Sequence, residues 1–88
     1  MKLAEGFILR KVTGKWVILP TSNEIVDISR IPTLNDSAAL LWQELEKGAE
    51  SAGALAHALM IEYDIDYETA LKDSEEFIDH LKKHGLLE

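Results

Sequence analysis

With 88 residues the chain is shorter than most domains but long enough to bury roughly 60% of its unfolded surface, so one domain over residues 1–88 is expected. Its 47% hydrophobic and 28% charged content is that of a globular protein and excludes a disordered or fibrous chain. A net charge of −7 and no cysteine argue against nucleic acid and exclude disulfides, thiolate metal sites and a cysteine nucleophile.

The first third reads as strands. Phe7 to Val12 and Lys15 to Pro20 are two β-rich runs joined by Thr13-Gly14, and a two-residue connection carrying glycine predicts a hairpin. A turn cluster, Thr21-Ser22-Asn23, precedes a third run, Ile25-Val26-Asp27-Ile28. Pro32 marks the exit from the sheet, because proline cannot donate a ladder hydrogen bond. About three strands are expected.

After Leu34 the apolar period changes from two to near 3.6. Ala38, Leu41, Trp42 and Leu45 form the stripe of a first helix capped by Asn35 and ending near Gly48. A second stripe, Ala52, Leu55, Ala56, Leu59 and Tyr63, follows Ser51 as cap and stops before Asp64, with Gly53 as an unfavourable helical residue. The third helix starts behind Asp66 and carries Tyr67, Leu71, Ser74, Ile78 and Leu81 on one stripe, beside Ala70 and Phe77. Lys82, Lys83 and His84 complement the negative end of its dipole, and Gly85 suits the C′ position with Leu86 packing back. Three strands followed by three helices define a small α+β domain.

The residues offer little to a catalytic mechanism. Asp64, Asp66, Glu68 and Glu75 fit the spacing of a calcium loop, but Thr69 replaces its turn glycine and the helical stripe runs through the same residues. A cap followed by acidic residues in the first turn explains them through the helix dipole. His57, His80 and His84 read as surface residues without a further ligand cluster, so no metal or cofactor is expected. Neither G-x-S-x-G nor a phosphate-binding glycine loop is present. Trp16, Trp42, Phe77 and Tyr63 are assigned to the core rather than to a stacking surface.

Charge and hydropathy narrow the partner. The acidic balance sits in residues 35–88, which argues against DNA, and Met1 to Gly6 lack the apolar segment of an export signal. No apolar run approaches the roughly 18 residues of a membrane span. A cytoplasmic protein bound neither to nucleic acid nor to a membrane is expected. What remains is the sheet: an edge strand offers unpaired N–H and C=O groups to an extended peptide.

Gly6 to Arg10, the hairpin into Trp16-Val17-Ile18-Leu19-Pro20, and Leu34-Asn35-Asp36-Ser37-Ala38 followed by Leu41-Trp42 together resemble the PqqD family. Phe77-Ile78, Leu81 and Gly85-Leu86-Leu87 extend the resemblance over essentially the whole chain. It implies a winged helix-turn-helix-like fold and a non-catalytic domain that captures the leader of a ribosomally made precursor peptide. The leader is implied to add as a strand to Ile25, Val26, Asp27, Ile28 and Ser29, facing Leu71, Ser74, Glu75 and Ile78 of the third helix. Arg30 would select acidic leader residues. A one-residue shift exchanges Ile25 and Asp27 for Val26 and Ile28, and both pairs stay candidates for the inner face.

The family implies presentation of the precursor to a separate modifying enzyme. In the founding case, pyrroloquinoline quinone synthesis, this is a radical S-adenosylmethionine enzyme, while relatives serve lasso peptides and other products. Two alternatives remain: a winged-helix DNA-binding protein and a generic protein-interaction module. The first needs basic residues on a recognition helix, yet the second helix has no Lys or Arg and the third opens with Asp66, Glu68 and Asp73.

Overall fold

The structure, a computed structural model, describes residues 1–21 and 33–88. β1 (Phe7–Val12) and β2 (Lys15–Pro20) form an antiparallel hairpin, with Phe7 opposite Pro20 and Val12 opposite Lys15. Both connecting residues have left-handed φ, 53° at Thr13 and 80° at Gly14. That is the turn whose twist matches the twist of the flanking strands. The register aligns Leu9 with Ile18 and Lys11 with Trp16. It buries Ile18 and sets the Lys11 ammonium 5.4 Å from the centre of the Trp16 ring.

β3 (Thr33–Leu34) pairs antiparallel to β2, Trp16 with Leu34 and Val17 with Thr33. The sheet order is β1-β2-β3. Among the described residues the sheet has three strands, but pairing is present beyond Pro32. Proline removes only its own N–H, and Thr33 and Leu34 directly after it pair with β2. The predicted strand Ile25 to Ile28 lies outside the described residues.

α1 (Asp36–Glu46), α2 (Ala52–Glu62) and α3 (Tyr67–Lys83) follow. Each begins at its predicted cap. Asn35 Oδ1 accepts from the Ala38 N–H at 2.8 Å, Ser51 Oγ from Ala54 at 3.1 Å and Asp66 Oδ1 from Thr69 at 2.9 Å. These caps satisfy N–H groups that the helices cannot pair themselves. At the far end of α3, Gly85 takes φ 70°, its N–H donates to Lys82 O at 3.2 Å, and the Leu86 N–H donates to Leu81 O at 2.8 Å. This double closure turns Leu86 back into the core.

The core joins Ile18 and Leu34 of the sheet to Leu41, Trp42 and Leu45 of α1, Leu55 and Leu59 of α2, and Phe77 and Leu81 of α3. The Trp42 indole N–H is buried without a hydrogen-bond partner among the described residues. Trp16 is half-buried against this core. Two aromatic residues depart from their predicted stripes, Tyr63 being 39% and Tyr67 41% exposed. Tyr63 is the α2 C-cap with extended backbone, so the helical periodicity no longer aims its side chain inward. Tyr67 opens α3, and its ring lies 5.7 Å from that of His57 with its hydroxyl over Gly53, where an added Cβ would meet it at 3.4 Å.

The two ends of the chain pair with each other. Leu3 and Leu87 form an antiparallel bridge, the Ala4 N–H donates to Leu86 O at 2.9 Å, and the Glu88 N–H donates to Lys2 O at 2.7 Å. Among the described residues no helix is long and apolar enough to cross a membrane.

Candidate functional site

α3 is strongly amphipathic, and its apolar surface divides into two strips. Ala70, Ser74, Phe77 and Leu81 are buried and hold the helix on the core. Leu71 and Ile78 lie on one flank of that face, packed against the core but only partly covered. Glu75 is exposed and stands between them in the i, i+4, i+7 row that one helical face provides.

The structure thus separates the α3 residues that the sequence grouped together. Leu71, Glu75 and Ile78 form an accessible ridge, apolar at both ends and acidic in the middle. Ser74 is 0% exposed and its hydroxyl donates to the Ala70 carbonyl at 2.8 Å. That bond satisfies the buried hydroxyl, and Ser74 backs the ridge from within. Ile25, Val26, Asp27, Ile28, Ser29 and Arg30 lie outside the described residues.

Lys72, Asp79 and Lys82 border the ridge and are exposed, and Asp79 pairs with Lys83 at 3.3 Å one turn further on. The border therefore carries both signs of charge. This ridge can seat aliphatic side chains and can oppose one basic group at Glu75.

The histidines stand apart from the ridge. His57, His80 and His84 are exposed, and the last two stack with ring centres 4.4 Å apart. Among the described residues no three His, Asp or Glu side chains are grouped to hold a metal ion. Residues 67–75, which the calcium spacing would need as a loop, are helical, with Asp66 as their cap. Hydrogen bonds from the Thr69 hydroxyl and then its backbone N–H hold the Asp66 carboxyl below the usual carboxylate range. That shift belongs to a helix cap.

The apolar stripes missed a second feature, the outer face of α2. Met60 and Ile61 are exposed, Ile61 to 82%, and Ile61 lines a groove against α1. The signal was in the sequence, because residues 52–61 contain no Asp, Glu, Lys or Arg. A helix apolar on all sides has more to cover than one core face.

Comparison with known proteins places this architecture. The family model described as coenzyme PQQ synthesis protein D (PqqD) matches residues 15–87. The solved structure of TbiB1 in complex with the TbiA(beta) leader peptide superposes with a TM-score of 0.77 at 23% identity, covering 100% of this chain and 95% of that one. Lasso peptide synthetase B1 complexed with its leader peptide gives a TM-score of 0.74 at 26% identity, covering 97% of this chain and 93% of that one. No curated protein sequence matches. The hairpin, the capped helices and the terminal Gly85-Leu86-Leu87 turn all fall within or beside the matched span, and on that match the chain belongs to the PqqD family.

Proposed function

We propose that this protein binds the leader segment of a ribosomally made precursor peptide and presents it to a separate modifying enzyme, catalysing no step itself. The observation that carries this reading is family membership over residues 15–87, joined to two neighbours of the same fold whose structures contain leader peptides. The accessible row of Leu71, Glu75 and Ile78 supports it as the helical wall of the site. In this proposal the leader adds as a strand along residues Ile25 to Ser29, and Arg30 favours leaders with acidic residues. Strand addition provides main-chain hydrogen bonds whatever the sequence, while flanking side chains select among peptides.

The mechanism is a gain in effective concentration. A leader held on this domain confines the precursor's reactive part near the partner's active site, which converts a second-order encounter into a local one. The chemistry belongs to the partner, for which a radical S-adenosylmethionine enzyme is one candidate class. Presentation of this kind takes place in the cytoplasm, where precursor and enzyme are made.

A backbone amide NMR titration tests the reading, using the leader of a precursor encoded beside this gene and, separately, duplex DNA at moderate salt. Shifts at residues 25–30 and at Leu71, Glu75 and Ile78 with peptide alone are expected. A response to DNA with none to peptide would overturn it in favour of a winged-helix DNA-binding protein.

A further inference from the structure

Of the three histidines, His80 and His84 stand one turn apart at the end of α3. The His84 N–H donates to the His80 carbonyl at 3.2 Å, so the helical turn is intact between them. Both side chains are exposed, and their rings lie with centres 4.4 Å apart and planes inclined at 59°. Two histidines at i, i+4 on one helical face are the spacing by which metalloprotease helices grip zinc. A pair of this kind needs no third side chain when water fills the remaining coordination positions.

The ring separation selects the ion. An imidazole nitrogen binds a transition metal at about 2.0 Å, which puts the metal about 3.1 Å from the ring centre. Two rings meeting at a right angle on one ion then have centres about 4.4 Å apart, and at the tetrahedral angle about 5.1 Å. The observed 4.4 Å is the right-angle value. Tetragonal coordination with nitrogen ligands is the preference of Cu(II) and Ni(II), whereas Zn(II) takes the tetrahedral angle.

The surroundings favour a cation. The pair lies in the last turn of α3, where the helix dipole presents its negative pole. Glu76, exposed, stands one turn before His80 in the same row and adds a carboxylate. Lys83, next to His84, is paired with Asp79 at 3.3 Å. At about 100° per residue, Lys82 falls on the opposite side of the helix from both imidazoles.

From this geometry we infer that His80 and His84 form a two-histidine chelate for a tetragonal divalent metal, Cu(II) before Ni(II), with water in the open positions. The pair is about half a helical turn round from the row of Leu71, Glu75 and Ile78, so metal and leader occupy opposite flanks of α3. The site therefore goes beyond the presenter reading and does not depend on it.

The test titrates the untagged full chain with CuCl2, NiCl2 and ZnCl2 by calorimetry in a weakly coordinating buffer and follows thermal melting of the same samples. Cu(II) is expected to bind tightest, one ion per chain, and to raise the melting midpoint, because an ion held only by the folded helix stabilises it. His80→Ala and His84→Ala should each weaken Cu(II) binding at least tenfold and abolish the rise, while His57→Ala should stay within twofold of wild type. Cu(II) affinity of either α3 variant within twofold of wild type would overturn the inference. Zn(II) binding tighter than Cu(II) would overturn the tetragonal geometry. Leader affinity is expected to change less than twofold when Cu(II) is bound. A protein that binds Cu(II) through both histidines but takes no leader would overturn the presenter reading and leave this site standing.

Discussion

The indole N–H of Trp16 donates to Oδ1 of Asp36 at 3.1 Å, tying the middle strand of the sheet to the first turn of α1. The same ring carries Lys11 on its face at 5.4 Å, so one side chain joins both strands of the hairpin to a helix. Trp16→Phe retains most of the packing and removes the donor. A loss of about 1 kcal/mol is expected in urea denaturation, and Asp36→Ala in the Trp16→Phe background should add less than it does alone.

Thr13 holds φ 53° in a turn position that favours Asn, Asp or Gly, and a β-branched residue is strained there. Thr13→Asn keeps the turn and relieves the strain. A stabilisation of about 0.5–1 kcal/mol is expected, read as a higher midpoint in thermal melting. An unchanged or lower midpoint would show that the Thr13 side chain makes a contact worth keeping.

Gly53 lies in the first turn of α2 beneath the Tyr67 hydroxyl. An alanine methyl would sit 3.4 Å from that oxygen, an ordinary contact, so Gly53→Ala is expected to stabilise by up to about 1 kcal/mol. A larger residue such as leucine must displace Tyr67 from His57, and loss of stability is expected. Denaturation of the two variants side by side separates helix propensity from crowding.

The Asp66 carboxyl titrates below the ordinary carboxylate range because the Thr69 hydroxyl, and after it the Thr69 N–H, favour the ionised form. Its folded value is therefore lower than its unfolded value. The stability it contributes is present above about pH 4 and is lost as pH falls through the folded value. Asp66→Asn keeps a capping oxygen without this titration, so its stability difference between pH 7 and pH 3 should be smaller than that of wild type. Equal differences by thermal melting would show that the carboxylate adds nothing beyond the cap.

Leu81 is fully buried and Leu71 only partly so, though both lie on the apolar side of α3. Leu81→Ala is expected to cost about 2–5 kcal/mol. Leu71→Ala should cost clearly less while weakening leader binding several-fold. Chemical denaturation paired with leader titration checks both, and a Leu71→Ala protein that binds leader like wild type would remove that residue from the site.

The sequence made the helix starts legible because Asn35, Ser51 and Asp66 are each short polar acceptors immediately before an apolar period, and local chemistry suffices to place a cap. Tyr63 and Tyr67 were misplaced because a periodic stripe carries no information about where the backbone leaves the helix. Ser74 was grouped with Leu71 and Ile78 on spacing alone. Its hydroxyl finds the Ala70 carbonyl one turn back, a local bond that lets a polar residue sit at the centre of the buried face. A single periodic stripe does not show the outer face of α2, because that helix is apolar beyond the side that Leu55, Ala56 and Leu59 bury. The proposed peptide contacts at Ile25 to Ser29, with Arg30 selecting charge, rest on edge chemistry and family resemblance, and the NMR titration above tests them.

The pairing of Lys2, Leu3 and Ala4 with Leu86, Leu87 and Glu88 gives the polypeptide a single point of departure. A linker leaving residue 1 and one leaving residue 88 start from two segments joined by a single bridge and sweep nearly the same volume. Attaching a fluorophore, a surface anchor or another enzyme at either end should therefore give interchangeable reach. A short linker closing the two ends would also leave the sheet and helices undisturbed, which makes the hairpin turn at Thr13-Gly14 a natural place to open a circularly permuted chain.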